Sequence, residues 1–172
     1  MNEKSIYFLT GASGVGKTTL LNELRKKYSY EPWSFHHFDS IGVPTVDEMN
    51  KKFGSPHNWQ KAKTFEWIEK LIYHDEHDKI FLEGQANLQY IKDAFALHQF
   101  TSFKLILIDC NEDVMTQRLG KDRNQPELVT ADMKNWLKFL QKQAGELQVP
   151  IIDTSLMSKE QVIQTLEAFI AT

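Results

Sequence analysis

Eight consecutive residues near the start of the chain, Gly11-Ala12-Ser13-Gly14-Val15-Gly16-Lys17-Thr18, have the types and the spacing to hold the phosphates of a nucleotide. They satisfy the pattern G-x-x-x-x-G-K-[ST] at every fixed position. The glycines let the backbone turn and aim its N–H groups inward at phosphate oxygens, and a helix starting at the end of the loop adds the positive end of its dipole. Lys17 would reach the β- and γ-phosphates, the Thr18 hydroxyl would hold Mg²⁺, and Thr19 continues the same helix end. Without a ligand the stretch would be only a glycine-rich strand-to-helix turn. Its flanks favour the nucleotide: Ile6 to Leu9 reads as a short buried strand and Thr19 to Leu24 as the start of an amphipathic helix.

Three carboxylates stand where apolar runs end: Asp39, Glu83 and Asp109. An apolar run closed by an acid is the pattern of the second Mg²⁺-supporting position in phosphate-loop enzymes. Both Phe81-Leu82-Glu83 and Leu107-Ile108-Asp109 fit it. Glu83 is preferred because Gly84 after it lets the backbone pass close to a ligand, whereas Asp109 directly precedes a helix cap. Asp39 is a candidate for holding or deprotonating an acceptor hydroxyl beside the γ-phosphate, with a surface turn or a helix cap as the alternative. His37, Trp59 and Gln85 are candidates for lining the acceptor site. His36 and His37 cannot both serve, since adjacent strand residues face opposite ways. The scattered histidines and the single Cys110 do not form a zinc pattern.

A second cluster, Arg118-Leu119-Gly120-Lys121-Asp122-Arg123-Asn124-Gln125-Pro126, reads as a helix end followed by a polar, turn-prone segment. Phosphoryl transfer spreads negative charge over the γ-phosphoryl oxygens, and a closing segment that brings guanidinium groups to them stabilises that charge while excluding water. Arg118 and Arg123 could supply those groups. The chain has only one other arginine, Arg25, inside the first helix.

The elements that must position these residues alternate. After the helix that follows the glycine loop, to about Tyr28, Trp33 to Phe38 reads as a strand ending at Asp39. Thr45 and Glu48 have capping-box spacing, Gly54 closes that short helix, and Ser55-Pro56 opens a longer one. The charged run His74 to Asp78 reads as a solvated connection. Lys79 to Leu82 forms a third strand, Asn87 caps a helix to about His98, and Phe103 to Ile108 is the clearest buried strand. Asn111 caps a helix that Gly120 would end, and a further helix runs from Thr130 to about Gly145. Val149 to Ile152 is a short fifth strand, and Ser158 caps the last helix. Five strands alternating with helices predict an α/β fold in three layers, a five-stranded parallel sheet flanked by helices, with ligands at the carboxyl ends of the strands.

Composition bounds the rest. A chain of 172 residues fits one domain, residues 1–172, and 41% hydrophobic with 25% charged residues is ordinary for a globular protein. A net charge of -3 gives no reason to expect nucleic acid. With one cysteine, no signal-like start and no membrane-length apolar stretch, the expected place is the cytoplasm.

With these pieces the sequence resembles the small phosphate-loop (P-loop) kinases, the superfamily of nucleoside monophosphate kinases and shikimate, gluconate and antibiotic phosphotransferases. The resemblance is specific at Gly11 to Thr18, supported by order at Asp39, Glu83-Gly84-Gln85 and Arg118 to Arg123, and architectural elsewhere. It implies ATP with Mg²⁺ as donor and a small-molecule acceptor. It further implies an acceptor-binding helical segment at about 42–75, a lid at about 118–128, and an adenine border at Asp153-Thr154-Ser155. One departure matters. Monophosphate kinases surround the acceptor phosphate with arginines, yet no arginine lies between Arg25 and Arg118. That region offers Asp39, Asn58, Trp59, Gln85, Asn87, Gln89 and Tyr90 instead, a set suited to a sugar, nucleoside or antibiotic that is not an anion. A monophosphate kinase, or a nucleotide-binding ATPase or switch acting on a protein partner, are the alternatives.

Overall fold

Alternation along the central strands generates the architecture, because each strand sends successive side chains to opposite faces of the sheet. In the computed structural model, which describes residues 4–171, the strands are β1 (Ser5–Thr10), β2 (Trp33–His37), β3 (Lys79–Gly84), β4 (Phe103–Asp109) and β5 (Ile151–Asp153). They form one parallel sheet in the order β2-β3-β1-β4-β5. The helices are α1 (Lys17–Lys27), α2 (Val46–Phe53), α3 (Pro56–His74), α4 (Leu88–Leu97), α5 (Glu112–Gln117), α6 (Ala131–Leu147) and α7 (Lys159–Ile170).

Ile6 and Phe8 of β1, Ile80 and Leu82 of β3, and Leu105 and Leu107 of β4 face one apolar layer. It is built with Trp67, Ile68 and Leu71 of α3, Ile91 and Phe95 of α4, and Leu140 and Ala144 of α6. Tyr7 and Leu9, Phe81, and Ile106 and Ile108 face the other, against Leu21 and Leu24 of α1, Met115 of α5, and Leu166 and Ile170 of α7. The near-continuous apolar runs of β1, β3 and β4 follow from this burial on both faces. The sequence reading of an α/β sheet with helices on both sides describes this arrangement, including the caps at Thr45, Ser55, Asn87, Asn111, Thr130 and Ser158.

The same parity separates the two histidines of β2. Trp33 and Phe35 pack on the α1 side, so His37 continues on that face, and its Nδ1 lies 2.7 Å from Glu83 Oε1. Ser34 and His36 take the other face and meet Asp75, Ser34 Oγ donating at 2.7 Å and His36 Nε2 lying 2.7 Å away.

Three local features differ from the sequence reading. Gly120 does not end a helix, since α5 passes into a π-helical turn, Arg118–Asp122, in which the Arg123 N–H reaches back to the Arg118 carbonyl at 2.9 Å. Gly84 makes room for a side chain of the protein, not for a ligand: a Cβ there would stand 2.3 Å from Cβ of Phe38. Finally, Asp75 is not a solvated connector. Its side chain is 9% exposed and binds Ser34, His36 and His77, tying β2 to the turn after α3.

Burial opposes ionisation of Asp75, but the hydrogen bonds from Ser34, His36 and His77 outweigh it and hold its pKa at about 2, below the ordinary 3.8. A carboxylate whose pKa is lowered on folding contributes stability that is complete above its unfolded pKa and disappears as pH falls through the folded one. Asp75→Asn should therefore lose about 2 kcal/mol of stability at pH 7. The difference from the parent should shrink as pH falls below about 4 towards 2. Urea unfolding of both proteins across that range checks the sign.

Candidate active site

The glycine loop sits at the topological switch of the sheet: β1, which precedes it, lies between β3 and β4, where crevices open at the strand ends. Gly11 is required by close approach, since a Cβ there would lie 2.2 Å from the Ile108 carbonyl oxygen. Gly16, at φ 104°, holds the left-handed conformation that turns the chain into α1. Among the described helices only α1 starts without a side-chain cap, and it carries no acid in its first turn. Its first N–H groups and the positive end of its dipole are thus left for an anionic ligand.

Lys17 is buried beside the loop and donates to the Ala12 carbonyl at 2.8 Å. Burial pulls its ammonium pKa down to about 8; the carboxylates of Glu83 and Asp39 act against that shift and the Arg123 cation adds to it. Lys17 thus feels the charges of Glu83, Asp39 and Arg123. Thr18 Oγ1 donates to Glu83 Oε1 at 3.2 Å. The same oxygen is 2.7 Å from His37 Nδ1, so Glu83 is held from two sides while buried. Register explains the meeting: β3 places Glu83 between Leu9 of β1 and His37 of β2. Asp39 follows β2 in a short 3₁₀ turn, Phe38–Ile41. Loss of hydration and the Glu83 charge raise its pKa above the usual carboxylate value, against Lys17 and His37.

Asp109 is engaged elsewhere. Its two carboxylate oxygens accept from the Gln141 amide at 3.1 and 2.9 Å. Burial still raises its pKa.

Arg118 is part of the loop's foundation. Its Nη1 donates to the Val15 carbonyl at 3.1 Å and to Thr154 Oγ1 at 2.9 Å, and Nη2 donates to the Thr154 carbonyl at 3.0 Å. Thr154, 5% exposed, also places its hydroxyl 2.9 Å from the Val15 carbonyl and 3.0 Å from the Asp109 carbonyl, and its N–H donates to Asp109 at 2.8 Å. Sequence reasoning touched Thr154 only as a border of the base. Its role as a tie between loop and sheet left no signal in the sequence, because all its partners are distant along the chain. Arg123, by contrast, is exposed in the segment after the π-helical turn.

Two cavities flank the loop. One of about 380 Å³ is bounded by Gly14, Gly16, Thr19, Arg118, Arg123 and Met157. The other, about 270 Å³, lies between the starts of α3 and α6 and reaches Gln85, whose Nε2 donates to Ser13 Oγ at 2.7 Å. Of the remaining acceptor candidates, Trp59 is 7% exposed and packs edge-on against Phe38 in the core. The Asn58 amide donates to the Phe53 carbonyl, Asn87 caps α4, and Gln89 donates to Asp93. The Tyr90 ring lies under Lys61. Asp39 and Gln85 are the members of that set left nearest the loop.

Thr18 and Glu83 offer a hydroxyl and a carboxylate, the hard oxygen donors Mg²⁺ prefers, and few protein ligands suffice when phosphates and water complete the shell. No group of three or more His, Cys, Asp or Glu placed to hold a metal ion occurs among the described residues.

A family model described as AAA domain matches residues 8–135. Among solved structures, shikimate kinase from Acinetobacter baumannii in complex with shikimate is 17% identical, with a TM-score of 0.65 over 98% of this chain and 93% of that one. A gluconokinase from Sinorhizobium meliloti 1021 is 13% identical, with a TM-score of 0.66 over 99% and 94%. Thymidylate kinase from Candida albicans is 14% identical, with a TM-score of 0.61 over 98% and 92%. No curated protein matches the sequence significantly. The fold is that of the small P-loop kinases.

Thr154→Val, which keeps the side-chain shape but removes the hydroxyl, should leave Arg118 and two carbonyls short of a partner. A loss of about 2 kcal/mol in urea unfolding is expected, together with weaker binding of a non-hydrolysable ATP analogue by calorimetry. Thr154→Ser should stay near the parent in both.

Proposed function

The chain belongs to the AAA domain family, and on that premise we propose that it is an ATP-dependent phosphotransferase acting on a hydroxyl of a small molecule that is not an anion. The observation that carries this reading is Glu83 hydrogen-bonded to Thr18 and His37 at the open start of α1, with Asp39 close enough to Lys17 and Glu83 for their charges to bear on one another. A binding or switch module needs the loop and its lysine. A second carboxylate near the same lysine, Asp39, adds a group able to act on an acceptor. The likeness in fold to shikimate kinase and gluconokinase supports transfer to a hydroxyl.

In this mechanism the loop N–H groups and the start of α1 hold the β- and γ-phosphates, and Lys17 leaves the Ala12 carbonyl to meet them. Thr18 and Glu83 would hold Mg²⁺, which when bound neutralises phosphate charge. His37 fixes one oxygen of Glu83. Asp39 orients the acceptor hydroxyl and takes its proton, and its raised pKa suits that task. The acceptor oxygen bonds to the γ-phosphorus as the bond to the bridging oxygen breaks, in line. Arg118 braces the loop from beneath, while Arg123, in the exposed segment, closes over the transferring group. The helical segment at 42–75 and the segment at 118–128 then serve as acceptor wall and lid of a single catalytic domain, and the lone buried Cys110 suits the reducing cytoplasm.

The family description supports a second reading, an ATPase acting on a protein partner. ADP release separates the two: a kinase is nearly idle until an acceptor is supplied, whereas an ATPase turns over alone. Lys17→Ala should lower acceptor-dependent ADP release by at least about 100-fold. Asp39→Asn should lower kcat by about 100-fold or more while ATP affinity stays within about 2-fold. If Asp39→Asn weakened ATP binding and spared kcat, Asp39 would belong to the nucleotide side.

A further inference from the structure

The first turn of α6 sorts its charges by face. Lys134 and Lys138 turn to Glu112, at 3.1 and 3.2 Å, while Asp132 and, one helical turn on, Trp136 line the cavity that ends at Gln85. Asp132 has neither a hydrogen-bond nor an ion-pair partner among the described residues. The α6 dipole favours an acid at this position, but it does not require one to border a cavity. Opposite, the start of α3 contributes His57 and Gln60.

No lysine or arginine lines this cavity. The nearby α3 lysines are committed elsewhere: Lys63 pairs with Glu66 at 2.5 Å, Lys61 lies over the rings of Phe65 and Tyr90, and Lys70 lies over Trp67. Lys51 and Lys52, on α2, stand outside the lining. His57 is thus the one lining group able to carry positive charge, and Asp132 is the one lining carboxylate.

Resting on the phosphotransfer reading, we propose that this cavity seats a hydroxylated amine, an amino sugar or amino alcohol whose ammonium group lies between the Asp132 carboxylate and the Trp136 indole. A carboxylate beside an aromatic ring is the arrangement that selects an ammonium ion. An anionic acceptor would meet the unpartnered Asp132 carboxylate with no lysine or arginine in the lining to offset it, and is disfavoured by repulsion. Gln60 and Gln85 supply amides for the other hydroxyls. The reacting hydroxyl oxygen bonds to the γ-phosphorus, the bond from that phosphorus to the bridging oxygen breaks, and the hydroxyl proton passes to Asp39 and on to water. A phosphomonoester and ADP leave, and the ammonium is unchanged.

The test is acceptor-dependent ADP formation with charge-matched triplets: glucosamine, glucose and gluconate, and ethanolamine, ethylene glycol and glycolate. The amine of at least one triplet is expected to be the best acceptor by kcat/KM. Asp132→Asn should raise KM for that amine by about 10-fold with kcat nearly unchanged, and Asp132→Lys should reverse the order within the triplet. A neutral or acidic member winning in both triplets in the parent protein, or a KM that ignores Asp132→Asn, overturns the inference while leaving phosphoryl transfer to a hydroxyl in place. Failure of every member, with ATP hydrolysed at the same rate without them, overturns both.

Discussion

The uncapped start of α1 is the constraint on which the site depends. A helix leaves its first N–H groups without internal partners, and the other helices described here supply a Ser, Thr or Asn side chain to the task. At Gly16 there is no such side chain. The sheet brings this open helix end to the point where β1 is flanked by β3 and β4, so strand ends on both sides deliver side chains toward whatever fills it. Gly11 lets the loop pass against the Ile108 carbonyl, and Arg118 with Thr154 ties its far side down. The loop is held at both ends, and its donors are oriented before any ligand arrives.

That rigidity gives the electrostatics their character. Lys17 is buried and its ammonium is disfavoured by loss of water, with Glu83 and Asp39 retaining it in part. The phosphates of a bound nucleotide would supply the charge that the buried cation lacks. Glu83 is kept from collapsing onto Lys17 because Thr18 and His37 hold it, and Lys17 rests on a backbone carbonyl of its own loop. A neutral carbonyl is an easier partner to leave than a carboxylate, so the resting contact suits a group that must move to its ligand.

What the sequence made legible was local chemistry. The phosphate-loop pattern, the capping residues and the apolar strand runs are each decided within a few neighbours, and they sufficed for the order of elements and for Glu83 beside Thr18. Features decided by distant partners were not legible. Asp75 looks like one acid in a charged connection until β2 brings Ser34 and His36 against it. Thr154 joins segments far apart in the chain, Val15 on one side and Asp109 and Arg118 on the other. The continuation of α5 through Gly120 also depends on context: Leu119 of that turn is fully buried, and its carbonyl accepts from the Gln125 N–H at 2.8 Å. A glycine with nothing near its absent side chain is free to stay helical when its neighbour is anchored in this way.

Gly84 shows how such distant decisions reach the chemistry. Its missing side chain admits Phe38, which is 1% exposed and whose carbonyl accepts from Trp67 Nε1 of α3 at 3.1 Å. Phe38 is the residue before Asp39, so the carboxylate proposed to orient the acceptor hangs from a side chain locked into β3 and a carbonyl locked to α3. Through His57 and Gln60, the first turn of that same helix borders the cavity that reaches Gln85. A shift of α3 toward the loop would therefore carry Asp39 and the cavity wall together, because Trp67 links the helix to the backbone beside Asp39. The hydrogen bond from Trp67 and the packing on Gly84 thus fix the backbone that carries Asp39, a role that neither residue reveals from its own neighbourhood in the sequence.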